Sequence, residues 1–154
     1  DWEEHWKEIY YIMDGLNSLE INILISLHPK TDINDYLHLE KKYKCRILVE
    51  QLKEKLHYAD LFIAINSSTV IWSVMLGIKT IILDYFKLDS SHFKDLTSIE
   101  FISDRKQYLK LVKDILNKDI DFSNDFKLLS KNNVFDGNTI KRYVQLIEEA
   151  KDCE

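Results

Sequence analysis

The sequence predicts an α/β fold: a doubly wound, mainly parallel sheet with helices on both faces. Three observations carry this. Short apolar, β-branched runs alternate along the chain with stretches of helical periodicity. Runs such as INILISL, LFIAI and TIIL are apolar at consecutive positions, as strands buried on both faces are. The intervals between runs are long enough for right-handed crossovers rather than hairpins.

Residues 1–18 place Trp2, Trp6, Ile9, Tyr10, Met13 and Leu16 at steps of three and four, which is a helix. INILISL at 21–27 is a strand whose carboxyl end falls at His28, because Pro29 cannot donate to a ladder. Thr31 or Asp32 caps a helix through Tyr36, Leu39 and Tyr43. A short strand at 46–49 and a brief helix at 50–58 follow. LFIAI at 61–65 is a third strand. Asn66, Ser67 and Ser68 then open a helix carrying Val70, Ile71, Val74 and Met75, stopped by Gly77. TIIL at 80–83 is a fourth strand, closing at Asp84, and residues 98–102 read as a fifth. Ser103 or Asp104 caps a helix through Tyr108, Leu111, Val112 and Ile115. Residues 121–133 are polar and read as irregular or weakly helical. Asp136, Gly137 and Asn138 break the chain before a last helix with Ile140, Tyr143, Val144 and Ile147 as its apolar stripe.

This order has a gap at its start. A doubly wound unit opens on its central strand, whereas this chain opens on a helix. The expectation is that a strand ahead of Asp1 completes the sheet, and that without it INILISL and LFIAI become neighbours or leave a gap. The first residue is Asp rather than Met, which fits a piece of a longer chain.

The 154 residues, 18.4 kDa in mass, suit one domain. A 45% hydrophobic and 12% aromatic share fills a core, which excludes a disordered chain. Three glycines and one proline exclude low-complexity classes and every glycine-rich phosphate loop, since neither GxGxxG nor GxxxxGK[ST] can be written with them. A net charge of -5 and the lack of a dense basic block argue against nucleic acid as a partner. The KKYK run at 41–44 reads as a solvated helix end. Cys45 and Cys153 fit neither a CxxC site nor a disulfide framework, so a reducing, cytoplasmic compartment is expected. The longest apolar runs, such as 70–78, are too short or interrupted to span a bilayer, and no signal peptide is read.

Ligands of open α/β sheets bind outside the carboxyl ends of the strands. Two polar clusters fall there: His28 with Pro29 and Lys30, and Asn66 with Ser67, Ser68 and Thr69. The hydroxyls and free backbone N–H groups of the second can hold an anion. They can equally be ordinary caps, which need no ligand. His28 on its stiff turn can donate to a phosphate oxygen or serve as a structural hydrogen-bonding residue. With a central strand between them, the two clusters would stand roughly 10 Å apart across one crevice, twice the ~4.8 Å strand spacing. Glu50, directly after the strand at 46–49, and Asp84 with Tyr85, at another strand's end, are candidates for a nucleotide or sugar pocket. The paired carboxylates Glu3 and Glu4, Glu148 and Glu149, and Asp32 and Asp35 read as solvated faces. His5, His38, His57 and His92 lack metal-ligand spacing, and no CxxC, HExxH or DxD occurs, so neither a metal nor a cofactor is expected.

ISLHPK followed by YADLFIAINSSTVIWSVMLGIKTIILDY resembles the C-terminal, donor-binding lobe of GT-B-fold glycosyltransferases. The HP and SS/ST pair is similar to the motif pair of bacterial sialyltransferases and related transferases with cytidine-activated donors. It recurs in glycerol-phosphate polymerases and in non-hydrolysing UDP-N-acetylglucosamine 2-epimerases. The likeness spans roughly residues 21–116, and FDGNTIKRYVQLI is similar to the closing helix of such lobes. It implies a single Rossmann-like lobe that lacks its first strand and its N-terminal lobe. It further implies that His28, Ser67 and Ser68, with Thr69 a weaker candidate, hold the phosphate of a CMP-, CDP- or UDP-linked sugar. The epimerases carry DSGG where this chain has NSST, which favours a transferase of surface-polysaccharide synthesis. The general base would sit on the missing lobe, so no catalytic residue is assigned and no turnover is expected of the fragment alone. The rival readings are an epimerase lobe and a non-enzymatic, flavodoxin-like binding module.

Overall fold

Amphipathic periodicity produces the first element where it was expected. In the computed structural model, which describes residues 2–131, 137, 138, 140–142, 144, 145 and 148, α1 runs over Trp2–Asn17 and buries Met13 and Leu16. β1 (Ile23–Ile25) follows. Asp32 then accepts a hydrogen bond from the Asn34 N–H and starts a 3-10 turn that leads into α2 (Leu37–Lys42). β2 is Cys45–Ile47, α3 is Leu52–Lys55 and β3 is Leu61–Ala64. α4 (Thr69–Met75) ends at Gly77, whose φ of +70° is the left-handed conformation that closes a helix without cost to glycine. β4 (Lys79–Ile82) and β5 (Ile99–Phe101) complete the strands. Asp104, not Ser103, caps the turn before α5 (Tyr108–Leu116).

The molecule is a mixed α/β protein with two small parallel sheets. One pairs β1 with β2, Ile23 opposite Cys45 and Ile25 opposite Ile47. The other has the order β3-β4-β5, with Ala64 opposite Ile82 and Ile82 opposite Phe101. No strand pairing joins the sheets among the described residues. INILISL and LFIAI therefore leave a gap rather than becoming neighbours.

Two apolar cores lie on opposite faces. Successive β4 residues show this, because Ile81 enters one core and Ile82 the other. The first core joins Met13 and Leu16 of α1, Leu39 of α2, Ile23, Ile47 and Ile81 of both sheets, and Tyr108 and Val112 of α5. The second joins Val70 and Val74 of α4 to Ala64, Ile82, Phe93, Ile99 and Leu129. It takes no residue from β1 or β2. That corrects the expectation that every strand is buried on both faces: Leu24 is 51% exposed, since the core over β1 forms only on the α1 side.

Of the two alternatives for 121–133, irregular or weakly helical, the structure takes the helical one over 123–131, with 132 and 133 outside the described residues. Ser123–Lys131 is a regular helix, α6, and Asp125 explains its stability. This carboxylate is 1% exposed and accepts the Thr97 N–H (2.8 Å), the Thr97 hydroxyl (3.0 Å) and the Ser98 N–H (2.8 Å), which pins α6 to the start of β5. Of the last apolar stripe, Tyr143 and Ile147 lie outside the described residues. Ile140 and Val144 are helical but exposed, because neither reaches the two cores.

Two outcomes test this packing. A Cβ on Gly15 would stand 2.9 Å from the ring of Tyr108, a fully buried residue that cannot swing away. Gly15→Ala is expected to destabilise by about 1–2 kcal/mol in urea denaturation, overpacking outweighing a helix-propensity gain of about 1 kcal/mol. Burial alone pushes the Asp125 carboxyl up, but the hydrogen bonds from Ser98 and Thr97 outweigh it and hold its pKa below the ordinary value. Its contribution is thus present above the unfolded pKa and lost as pH falls through the lower folded one. Stability measured between pH 5 and pH 2 should fall for the native chain and fall less steeply for Asp125→Asn, which starts lower.

Candidate functional site

The two polar clusters sit where the sequence puts them, each just past the carboxyl end of a parallel strand. His28, Pro29 and Lys30 lie beyond β1 and are all exposed. The His28 carbonyl accepts the Thr31 N–H at 2.8 Å, and its Nδ1 accepts the Lys30 N–H at 3.2 Å. The imidazole is thereby fixed to its own turn. With Nδ1 accepting, the neutral ring carries its proton on Nε2, a donor with no partner among the described residues.

Asn66, Ser67, Ser68 and Thr69 form the turn from β3 into α4. Ser67 is half-buried, and its Oγ accepts the Thr69 N–H at 3.2 Å while its carbonyl accepts from Val70. Ser67 is thus the turn-former of the pair. Ser68 stands at the N-cap position, exposed, and its hydroxyl makes no capping bond. The N–H groups of Asn66, Ser67 and Ser68 take no backbone or side-chain acceptor among the described residues. Thr69 is half-buried at the first position of α4. Within the described residues no bond joins this turn to the His28 turn.

The remaining candidates are held by protein partners. Glu50 pairs with Lys55 at 3.2 Å, and its own main-chain N–H first, then Lys55, hold its carboxyl below the usual range. Asp84 Oδ2 accepts the Ser103 hydroxyl at 3.3 Å. Tyr85 donates to Glu8 of α1 at 2.9 Å, and burial, reinforced by the Glu8 carboxylate, pushes its phenol pKa up. Glu8 also receives the Arg105 guanidinium at 2.8 Å, and Arg105 lies 3.4 Å from the Tyr11 ring centroid. The Tyr85 hydroxyl is spent on this clasp.

The first half of α1 was not legible as part of the site. It lines a cavity of about 540 Å³ with Glu4, His5, Lys7, Glu8, Ile9 and Ile12, closed on the far side by Ile65 and Phe86. Ile65 directly precedes Asn66, so the cavity adjoins the serine turn. A second cleft of about 430 Å³ lies among Trp2, Trp6, Tyr10, Asp35 and His38. The signal was present: Trp2, His5, Trp6 and Tyr10 on the amphipathic α1, and His38 on α2. It reads equally well as core-facing stripe. His5 bonds the Tyr36 hydroxyl at 2.8 Å, and His38 bonds Tyr10 at 3.1 Å. The acidic first turn of α1, Glu3 and Glu4, opposes an anion at that helix end, whereas α4 has no acidic residue in its first turn.

Among the described residues no group of three His, Cys, Asp or Glu side chains can hold a metal ion, and no helix is long and apolar enough to cross a membrane. Burial first, then Glu40, pushes the Cys45 thiol up, so it is not an activated nucleophile. No family model, curated protein or solved structure matches the chain.

The clasp has a direct test. Glu8→Ala removes the partner of both Tyr85 and Arg105 and is expected to cost about 1–2 kcal/mol in chemical denaturation, after allowance for the partly exposed guanidinium. Glu3→Ala breaks an exposed pair with Lys7 on the same helix and should cost below about 0.5 kcal/mol.

Proposed function

We propose that this chain binds the phosphate of a nucleotide-activated sugar and serves as the donor lobe of a glycosyltransferase of surface-polysaccharide synthesis. The observation that carries the reading is the pair of unspent donor sets at the carboxyl ends of β1 and β3: the His28 Nε2–H, and the Ser68 hydroxyl with the free N–H groups before α4. The order, spacing and strand-end position of the HP and SST motifs, and their likeness to GT-B donor lobes, support it. α4 has only seven residues, so the anion would be held chiefly by hydroxyl, imidazole and local N–H donors.

In this reading the fold is a doubly wound, Rossmann-like lobe with the donor across its switch point. His28 and Ser68 would bind the phosphate and stabilise negative charge as the nucleotide leaves, an electrostatic role. The general base and the acceptor belong to another lobe. Ser67, already bonded to the Thr69 N–H, would shape the turn more than bind through its hydroxyl.

NMR titration with CMP, CDP, UDP and UDP-sugars tests the reading. Shifts are expected at Lys30 and at 66–69. Ser68→Ala should weaken binding about tenfold, the worth of one hydrogen bond to a charged group. Its thermal midpoint should stay unchanged, because the Ser68 hydroxyl holds nothing in the fold. A folded chain without shifts at those residues would sink the reading and favour a module in which His28 and Ser67 only build turns.

A further inference from the structure

We infer that the space between β1 and β3 is a slot for one more β-strand, parallel to both and joined covalently ahead of α1. It shares the doubly wound order with the donor reading but not the ligand, so failure to bind a nucleotide leaves it standing.

Ladder arithmetic identifies the open edges. In a parallel pair, alternate residues point their N–H and C=O groups to one neighbour and the rest point the other way. The Ile25 carbonyl accepts the Leu48 N–H at 2.9 Å, so Ile23 and Ile25 face β2 while Leu24 and Ser26 face away. The Ala64 carbonyl accepts the Leu83 N–H at 2.8 Å, so Phe62 and Ala64 face β4 while Ile63 and Ile65 face away. No backbone partner meets these outward groups among the described residues. The far edge of β2 differs. There the outward Ile47 N–H is taken by the Glu40 carboxylate of α2 at 2.7 Å, which blunts that edge. β1 and β3 share one core, since Ile23, Ile25, Leu61 and Ile63 all belong to the apolar cluster that includes α1.

Helix placement supplies an independent check. Parallel crossovers in one sheet share one hand, so connections running in opposite directions lie on opposite faces. From β1 to β2 the chain passes through α2, in the first core. From β3 to β4 it passes through α4, in the second core, which is where the rule puts it when the slot lies between β1 and β3 and the chain moves away from it on both sides. A crossover from the slot to β1 runs in the same direction as β1 to β2, and its helix must lie with α2. α1 does. Its polarity also fits. Glu8 and His5 meet Tyr85 and Tyr36, which follow carboxyl ends of strands, whereas Asn17 meets Lys44, just before β2. A strand leading into α1 must then end at the carboxyl rim, parallel to its neighbours. With the slot filled, the order becomes β2-β1-slot-β3-β4-β5, one continuous six-stranded sheet.

Backbone amide hydrogen exchange decides the matter. In the 154-residue chain, the amides of Leu24, Ser26, Ile63 and Ile65 should exchange about 100-fold faster than those of Leu48 and Leu83, which sit in ladders. Extending the chain ahead of residue 1 by a six-residue valine-rich strand and a short turn should slow those four amides at least about tenfold. The same extension with proline at its centre should not. Protection in the unextended monomer would mean the two edges close on each other, protection accompanied by a dimeric mass would mean a second copy fills the space, and no slowing on valine extension would mean no slot. Each of these overturns the inference.

Discussion

The fold depends on α1 holding together two sheets that share no hydrogen bond among the described residues. Three-residue strands in a two-stranded sheet have little stability of their own. β1 and β2 stay in place because Met13 and Leu16 bring Ile23, Ile47 and Ile81 into one core, and polar seams fix the helix at both ends. Tyr43 donates to Asp14 at 2.7 Å at one end, and Glu8 binds Tyr85 and Arg105 at the other. Dispersion and hydrophobic burial supply the attraction, and the directional bonds set the rotation of the helix.

That constraint also shapes the candidate site. The first half of α1 reaches the carboxyl end of β4, where Glu8 meets Tyr85, and its side chains make most of the cavity that takes in Ile65 and Phe86. The same helix engages Tyr85 in the fold through Glu8. A residue at a strand's carboxyl end is therefore not automatically free for chemistry: the side chains of Tyr85, Asp84 and Glu50 bond to protein groups, whereas His28 Nε2 and the Ser68 hydroxyl meet none among the described residues.

Much of the local structure was legible because it follows from short-range chemistry. The spacing of Trp6, Met13 and Leu16 specifies a helix and Gly77 ends α4, whereas β1 stops at Ile25, short of the end that Pro29 was expected to set. Asp125 was not legible. Its polar surroundings at 121–133 read as irregular or at most weakly helical, and the reason for regular order there is a partner 28 residues away, Thr97, whose N–H no local pattern reveals. The exposure of Leu24 was misread for a related reason: an apolar run states that a strand can be buried on both faces, not that both faces meet a partner.

By itself the sequence determined an alternating α/β chain with parallel strands and two donor-bearing turns at strand ends, since turn chemistry and periodicity act within a few residues. Tertiary structure alone decided that Tyr85 is engaged by Glu8 and that the first half of α1 lines a cavity shared with Ile65 and Phe86. Those outcomes depend on which groups meet across tens of residues, a matter of packing geometry that no local pattern encodes.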